Sequence, residues 1–432
     1  MNRLSQWWRR FGLFALLGLM LAALISCGNP GSNGTNANGK PEVEFWTMQL
    51  QPKFNDYFNN LIAQFEQENP EISVKWVDVP WEAMQNKILA AVQSKTAPDV
   101  VNLNPDFASQ LAGRNAWLNL DDQVSAEEKD QYLPSIWQAS TLGNQSFGFP
   151  WYLTSRIAIY NQEILSQAGV TTPPKTYEEL ATVAKQVKDK TGKYAFFMTA
   201  VPADSGELME SFVQMGVKLV DENERATFNS PEGKKAFAYW VDLFKQGYLP
   251  REVLTEGHRR GVDLYQSGQL AILTSSPQFL NSIATNAPNI AAASVPAPQI
   301  TGSSGKINVA VMNLVIPKDS DQPEAAVKFA KYVTNPENQL AFAKEANVLP
   351  STQASLQDPY FSQAANDATP ADRGRLVSAD QIPNAEVLIP KIKDVKQLQQ
   401  ILYENLQAAM LDQKTVDQAL ADAEQTWNQT RG

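Results

Sequence analysis

The chain has 432 residues, more than one compact core accommodates, so two or three lobes are expected. Its 43% hydrophobic and 19% charged residues exclude global disorder, and a formal net charge of −10 argues against nucleic acid or other polyanions as partners. One cysteine and one histidine leave no material for a structural zinc site or a disulfide framework, and no cofactor is expected. A serine or cysteine triad would rest on His258 alone, in the cationic stretch Gly257-His258-Arg259-Arg260, which reads as a solvated loop or helix end.

Arg3, Arg9 and Arg10 precede an uncharged apolar run from Phe11 to Ile25, too short to span a bilayer comfortably. A basic region followed by a short apolar one reads as a secretory signal covering residues 1–26. Leu24-Ile25-Ser26-Cys27 resembles the bacterial lipoprotein cleavage box, which makes the only cysteine the acceptor of a lipid anchor. Residues 27–41, rich in Gly and Asn, read as a flexible tether with an end-to-end distance of about 20 Å. Loss of the three leader arginines from 36 basic residues leaves 33 against 46 acidic ones, a net of −13.

In the mature chain Val43-Glu44-Phe45-Trp46 opens a strand. Phe54, Tyr57, Phe58, Leu61, Ile62 and Phe65 then mark an amphipathic helix that Pro70 stops. A strand over 72–79, a helix from about Trp81 to Lys95 and a strand over 99–103 complete a pattern that implies parallel pairing. Ligands of such sheets bind beyond the carboxyl ends of the strands, here Trp46 to Gln49 and Asn104 to Phe107. A second α/β unit follows Pro150: a strand over 157–160, a capping box Thr176-Tyr177-Glu178-Glu179 and a strand over 194–198. A helix begins at Ser230-Pro231, and later strands cover 269–274 and 307–316. From Pro323 onward the pattern is mostly helical.

Taken in order, several segments resemble the bacterial extracellular solute-binding proteins of carbohydrate-uptake ABC transporters, the maltose-binding-protein-like group. They are Val43-Glu44-Phe45-Trp46-Thr47-Met48, Thr96-Ala97-Pro98-Asp99-Val100-Val101 and Gly148-Phe149-Pro150-Trp151-Tyr152. Pro173-Pro174-Lys175-Thr176-Tyr177-Glu178-Glu179-Leu180, Gly268-Gln269-Leu270-Ala271-Ile272 and Thr415-Val416-Asp417-Gln418-Ala419-Leu420 follow. The chain departs from the family's pattern at Ser276-Pro277-Gln278, which stand for Gly-Pro-Trp, and at Met312-Asn313, which stand for Gly-Gly.

The resemblance implies an α/β, two-lobed periplasmic-binding-protein fold of type II-like character, its discontinuous lobes joined by three hinge crossings. The expected first lobe is 42–150 plus 277–316 and the second 151–276 plus 317–430, with crossings near Phe149 to Leu153, Thr274 to Pro277 and Ile316 to Asp319. The implied function is capture of a sugar or oligosaccharide by a monomer, and its delivery to the transmembrane permease subunits of an importer. Aromatic rings suit the C–H faces of a pyranose and planar polar groups suit its hydroxyls. Candidate ligand contacts are therefore Trp46, Met48, Gln49, Trp81, Asn104, Asp106, Trp151, Tyr152, Arg156, Glu207, Ser275, Ser276, Gln278, Met312 and Asn313. Of the rings, Trp151 beside Tyr152 is expected to contact ligand, Trp46 and Trp81 read equally as packing or contact, and Trp76 and Trp240 read as core. Two other readings stay open: the same receptor fold holding a glycerol phosphate, polyol or other small osmolyte, and a lipid-anchored glycan-active enzyme using two carboxylates.

Overall fold

The computed structural model describes residues 35–36, 39–104, 107–108, 111, 115–392 and 394–431. Residues 1–34, which hold the expected leader, Cys27 and most of the tether, lie outside the described residues, as does Asp106. No helix among the described residues is long and apolar enough to cross a membrane.

The opening pattern folds as its periodicity predicts: β1 (Glu42–Met48), α1 (Asn55–Glu68), β2 (Ser73–Val79), α2 (Trp81–Ser94) and β3 (Val100–Leu103). The apolar stripe of α1 buries Phe58, Leu61 and Phe65. Asn69 ends the helix by returning both its backbone N–H and its side-chain amide to the carbonyl of Phe65. β1 lies between β2 and β3, parallel to both.

The later strands are β4 (Gly148–Ser155), β5 (Ile157–Asn161), β6 (Ile272–Ser275), β7 (Ser294–Ala297), β8 (Ile307–Val315), β9 (Leu349–Pro350) and β10 (Ala385–Glu386). Among the described residues they form two main sheets. The larger runs β9-β4-β8-β3-β1-β2, with β10 added to the start of β8. The smaller runs β6-β5-β7, antiparallel throughout. Each sheet centres its own apolar core: Phe45, Phe58, Trp151 and Phe329 in one, Ile159, Phe212, Trp240 and Tyr403 in the other.

The longer helices that follow are α3 (Tyr177–Thr191), α4 (Glu207–Gln214), α5 (Pro231–Lys245), α6 (His258–Gln266), α7 (Phe279–Asn286), α8 (Pro323–Val333), α9 (Pro336–Ala346), α10 (Pro370–Gln381), α11 (Val395–Met410) and α12 (Val416–Gln429). The capping box is formed: Thr176 Oγ1 accepts from the N–H of Glu179 at 3.2 Å while Glu179 Oε2 accepts from that of Thr176 at 3.3 Å. Thr176→Ala should cost about 1 kcal/mol, read as a lower urea midpoint.

Three expectations are corrected. The run 194–198 makes one parallel bridge, Tyr194 with Leu270, and then leaves the sheet to bond Ala200 N–H to the carbonyl of Val253. Its side chains at 195–198 are all buried, and burial on both sides produces an apolar run whether or not a ladder forms. Residues 277–297, expected in the first lobe, belong with the second: Leu280 and Ile283 pack in its core and β7 pairs with β5. Residues 317–346, expected in the second lobe, belong with the first, where α8 and α9 place Phe329, Ala330 and Phe342 beside Phe45 and Phe58.

The crossings move accordingly. The chain passes between sheets at 155–157, returns between β7 and β8, and passes again between β9 and α11 by way of α10 and β10. Thr274 to Pro277 and Ile316 to Asp319 are instead turns within one lobe. Pro317 bridges Trp117 of the first lobe.

Candidate functional site between the lobes

Where β3 ends, Asn104 turns the chain: its Oδ1 accepts from the N–H of Phe107 at 2.8 Å and its carbonyl from that of Ala108 at 3.0 Å. Facing it is the start of α4, with Gly206, Met209 and Glu210. The first residues of β8, from Asn308 to Ala310, and the return segment through Lys391 to Lys396 and Gln399 close the remaining sides. The cavity is ≈ 150 Å³ and open to solvent on one side of this ring of residues. A larger groove of ≈ 620 Å³ lies elsewhere, lined by Leu133, Leu356, Phe361 and Val377 away from the ends of β1 and β3.

The second-lobe wall carries most of the charge. Arg156, at the first crossing, donates from Nη1 to Glu210 Oε2 at 2.5 Å. Glu207 lies one turn earlier on α4; its Oε2 is 3.7 Å from His258 Nδ1, and its buried Oε1 has no hydrogen-bond partner. His258 starts α6, its Nε2 3.3 Å from Ser275 Oγ at the end of β6. Asp204 accepts the backbone N–H of His258 and so fastens the start of α6 to the loop before α4.

Burial opposes the charge on Arg156, but Glu210 and Glu207 outweigh it and hold the guanidinium above its ordinary value. The same burial pushes the Glu210 carboxyl above the usual glutamate range, with Arg156 pulling it back. Across the cavity, Lys391 is pushed down by burial, and its Nζ donates to the carbonyls of Gln138 (2.9 Å) and Thr141 (2.6 Å).

A chain of buried amides ties the crossings behind this wall. Gln381 Nε2 donates to Ser155 Oγ and to the carbonyl of Arg156, both at 2.8 Å, and its Oε1 accepts from the N–H of Gln299 at 3.2 Å. Gln299 Oε1 in turn accepts from the N–H of Asn308 (2.9 Å) and from Gln214 Nε2 (3.2 Å). A satisfied polar cluster at the meeting of three segments fixes their relative geometry more sharply than apolar packing does. A shift of α4 therefore reaches the residues about which the lobes would turn.

The residues expected to contact ligand divide. Asn104 lines the cavity, and Arg156 and Glu207 belong to the charged cluster beside it. Trp81 is 40% exposed, its ring 6.1 Å from Phe107. Gln49 is exposed at φ +54°, and Ser276 is half-buried. Ser275 is buried behind His258, and Gln278 donates to the carbonyl of Asn347 at 2.6 Å, linking α7 to the first lobe.

Six candidates pack in or against the core instead. Trp151 is fully buried and stacked on Phe342, with centroids 4.7 Å apart at 22°. Tyr152 packs edge-on against Trp151. Met48 and Met312 fill the core between α2 and the sheet. Asn313 is fully buried, accepting from Ser140 Oγ at 2.5 Å beside a register shift in β8. Trp46 is also buried: its Nε1 donates to Glu44 Oε1 at 2.6 Å and Lys87 covers its ring. β4 and β8 run through the middle of the larger sheet, each with a strand paired on either side.

Glu210, Asn308, Lys391, Lys396, Gln399 and the role of His258 were not read from the sequence. Glu207-x-x-Glu210 at the start of an amphipathic helix was the available signal, because spacing by three puts both carboxylates on adjacent faces.

The family model for bacterial extracellular solute-binding proteins matches residues 51–340. A crystal structure from Synechococcus sp. MITs9220, described as a proposed oligosaccharide periplasmic-binding protein, superposes with a TM-score of 0.83 at 45% identity, covering 90% of this chain and 98% of that one. This chain belongs to the bacterial extracellular solute-binding protein family.

Among other relatives of this solute-binding protein, the arabinooligosaccharide-binding protein of Halalkalibacterium halodurans is 26% identical over 69% of this chain and 68% of its own length. The diacetylchitobiose binding protein DasA of Streptomyces coelicolor is 20% identical over 83% of this chain and 86% of its own. The family and these neighbours are binding proteins, and the fold of this chain is their two-lobed α/β fold.

Proposed function

We propose that this solute-binding protein captures a short oligosaccharide between its lobes and delivers it to the transmembrane subunits of an ABC importer. The ligand is released unchanged. The observation that carries this reading is the cavity itself, where Asn104 of one lobe meets Glu210 of the other beside three hinge segments tied by Gln381 and Gln299. A ligand touching both walls favours the closed arrangement by its differential affinity for it, and a partner that reads the closed shape accepts loaded protein. Support for a sugar comes from the relatives that bind oligosaccharides, from the exposed ring of Trp81 and from the amides and carboxylates of the cavity. Cys27 in its lipoprotein-like box supports attachment to the membrane by lipid.

One observation favours a second reading, a phosphate-bearing polyol. Lys391 and Lys396 both line the cavity, and the described partners of the Lys391 ammonium are backbone carbonyls.

Titration of intrinsic tryptophan fluorescence with mono-, di- and trisaccharides, polyols and glycerol phosphates tests both. Saturable quenching by an oligosaccharide is expected; a response to glycerol phosphate alone would replace the first reading by the second. Trp81→Ala should weaken saccharide binding about tenfold, the scale of one lost stacking contact, and leave the urea midpoint in place.

A further inference from the structure

We propose that the outer face of the first lobe carries a second saccharide site, separate from the cleft. α1 turns Asn55, Asn59 and Glu66 toward Val74 and Trp76 of β2, the edge strand of the large sheet, and Gln51 closes one end. The groove between them is ≈ 420 Å³, within the range of sites that take small ligands.

The floor is a fixed aromatic ring. Trp76 is half-buried, its ring tilted over Phe58 with centroids 4.7 Å apart, and its Nε1 donates to Thr47 Oγ1 at 2.8 Å. An indole held from below and bonded at its nitrogen presents its remaining face without further loss of rotamer freedom.

Around the ring stand groups with unused bonding capacity. Asn55 Oδ1 is shielded from solvent and has no hydrogen-bond partner, so the amides open to a ligand are those of Gln51 and Asn59, both exposed. Among the described residues the side-chain amides of Gln51 and Asn59 make no hydrogen bond, while the backbone N–H of Gln51 is fixed by Asp78 Oδ2 at 3.1 Å. Glu66 is held in place, its Oε1 accepting from the N–H of Val74 at 2.8 Å.

Carboxamides offer a donor and an acceptor side by side, the arrangement adjacent hydroxyls need, while the ring takes the C–H face of a pyranose. The lining contains one carboxylate and no cation, so the ligand class is an uncharged saccharide of one or two units in the groove.

The test uses the full mature chain carrying 5-fluorotryptophan, followed by ¹⁹F NMR, with the Trp76 resonance identified from its loss in Trp76→Phe. Maltotriose, cellotriose, arabinotriose and diacetylchitobiose are each titrated to millimolar concentrations. The Trp76 resonance should shift saturably with at least one of them. Asn59→Leu should raise the midpoint of that shift about fivefold, the scale of one lost hydrogen bond, without changing the response of Trp81. A Trp76 resonance that stays fixed while that of Trp81 moves would overturn the second site and leave the cleft reading intact. An Asn59→Leu titration identical to the parent would also overturn it. If no tryptophan responds to any of the four saccharides, the second site and the carbohydrate reading of the cleft fall together.

Discussion

Trp151→Ala is expected to destabilise the folded protein by about 3–5 kcal/mol, seen as a lower urea midpoint at unchanged slope. The ring is completely buried between the large sheet and α9, stacked on Phe342 and edge-on to Phe45 and Phe58. Truncation would remove contacts from four neighbouring rings at once, Tyr152 included, and leave a cavity that the rigid central strand β4 is poorly placed to fill. Its Nε1–H is buried without a partner, so Trp151→Phe should be milder, losing less than about 2 kcal/mol, because the smaller ring also removes an unsatisfied donor. Ligand affinity of the folded Trp151→Ala protein should stay within about twofold of the parent, since no face of the ring reaches the cleft. A tenfold loss of affinity at unchanged stability would show that the ring touches ligand after all.

The contrast between Trp151 and Trp81 explains how far the sequence could be read. The opening β1 to β3 unit was legible because each element has its own period, bounded by Pro70, Pro80 and Pro98. Both tryptophans fall near strand ends in that pattern, but the sequence does not say which strands are central. β4 has neighbours on both sides and buries Trp151 completely, whereas Trp81 begins a helix and stays 40% exposed.

The lobe boundaries failed for a related reason. Ser294-Val295-Pro296-Ala297 contains a proline and is not among the strands expected from the sequence, yet it serves as an edge strand, where a missing N–H is tolerated. That one pairing assigns everything from α7 to β7 to the second lobe. The polar wall was partly legible: Arg156 and Glu207 were singled out, but their partner Glu210 was not. Side chains 54 residues apart meet only once the first crossing has placed β5 beside α4.

Arg156→Met should produce the second large effect, a loss of about 3–5 kcal/mol, because it leaves Glu207 and Glu210 buried without their guanidinium. Both carboxylates are nearly inaccessible to water, and both act to keep Arg156 charged. The ion pair itself need not be strongly stabilising, since the removal of two charges from water offsets most of their attraction. What is costly is separating the partners. Arg156→Met combined with Glu210→Gln should therefore recover roughly half of the lost stability, a coupling that independent sites would not give. Ligand binding in the single variant should fall at least about tenfold, as α4 carries the cavity residues Gly206, Met209 and Glu210 with it. In the double variant Glu207 is the one carboxylate left in the wall, which then carries the same net charge as the parent, so part of the affinity should return with the stability. A double variant no more stable than Arg156→Met would mean that the arginine acts through its own packing at the crossing and not by compensating the two glutamates.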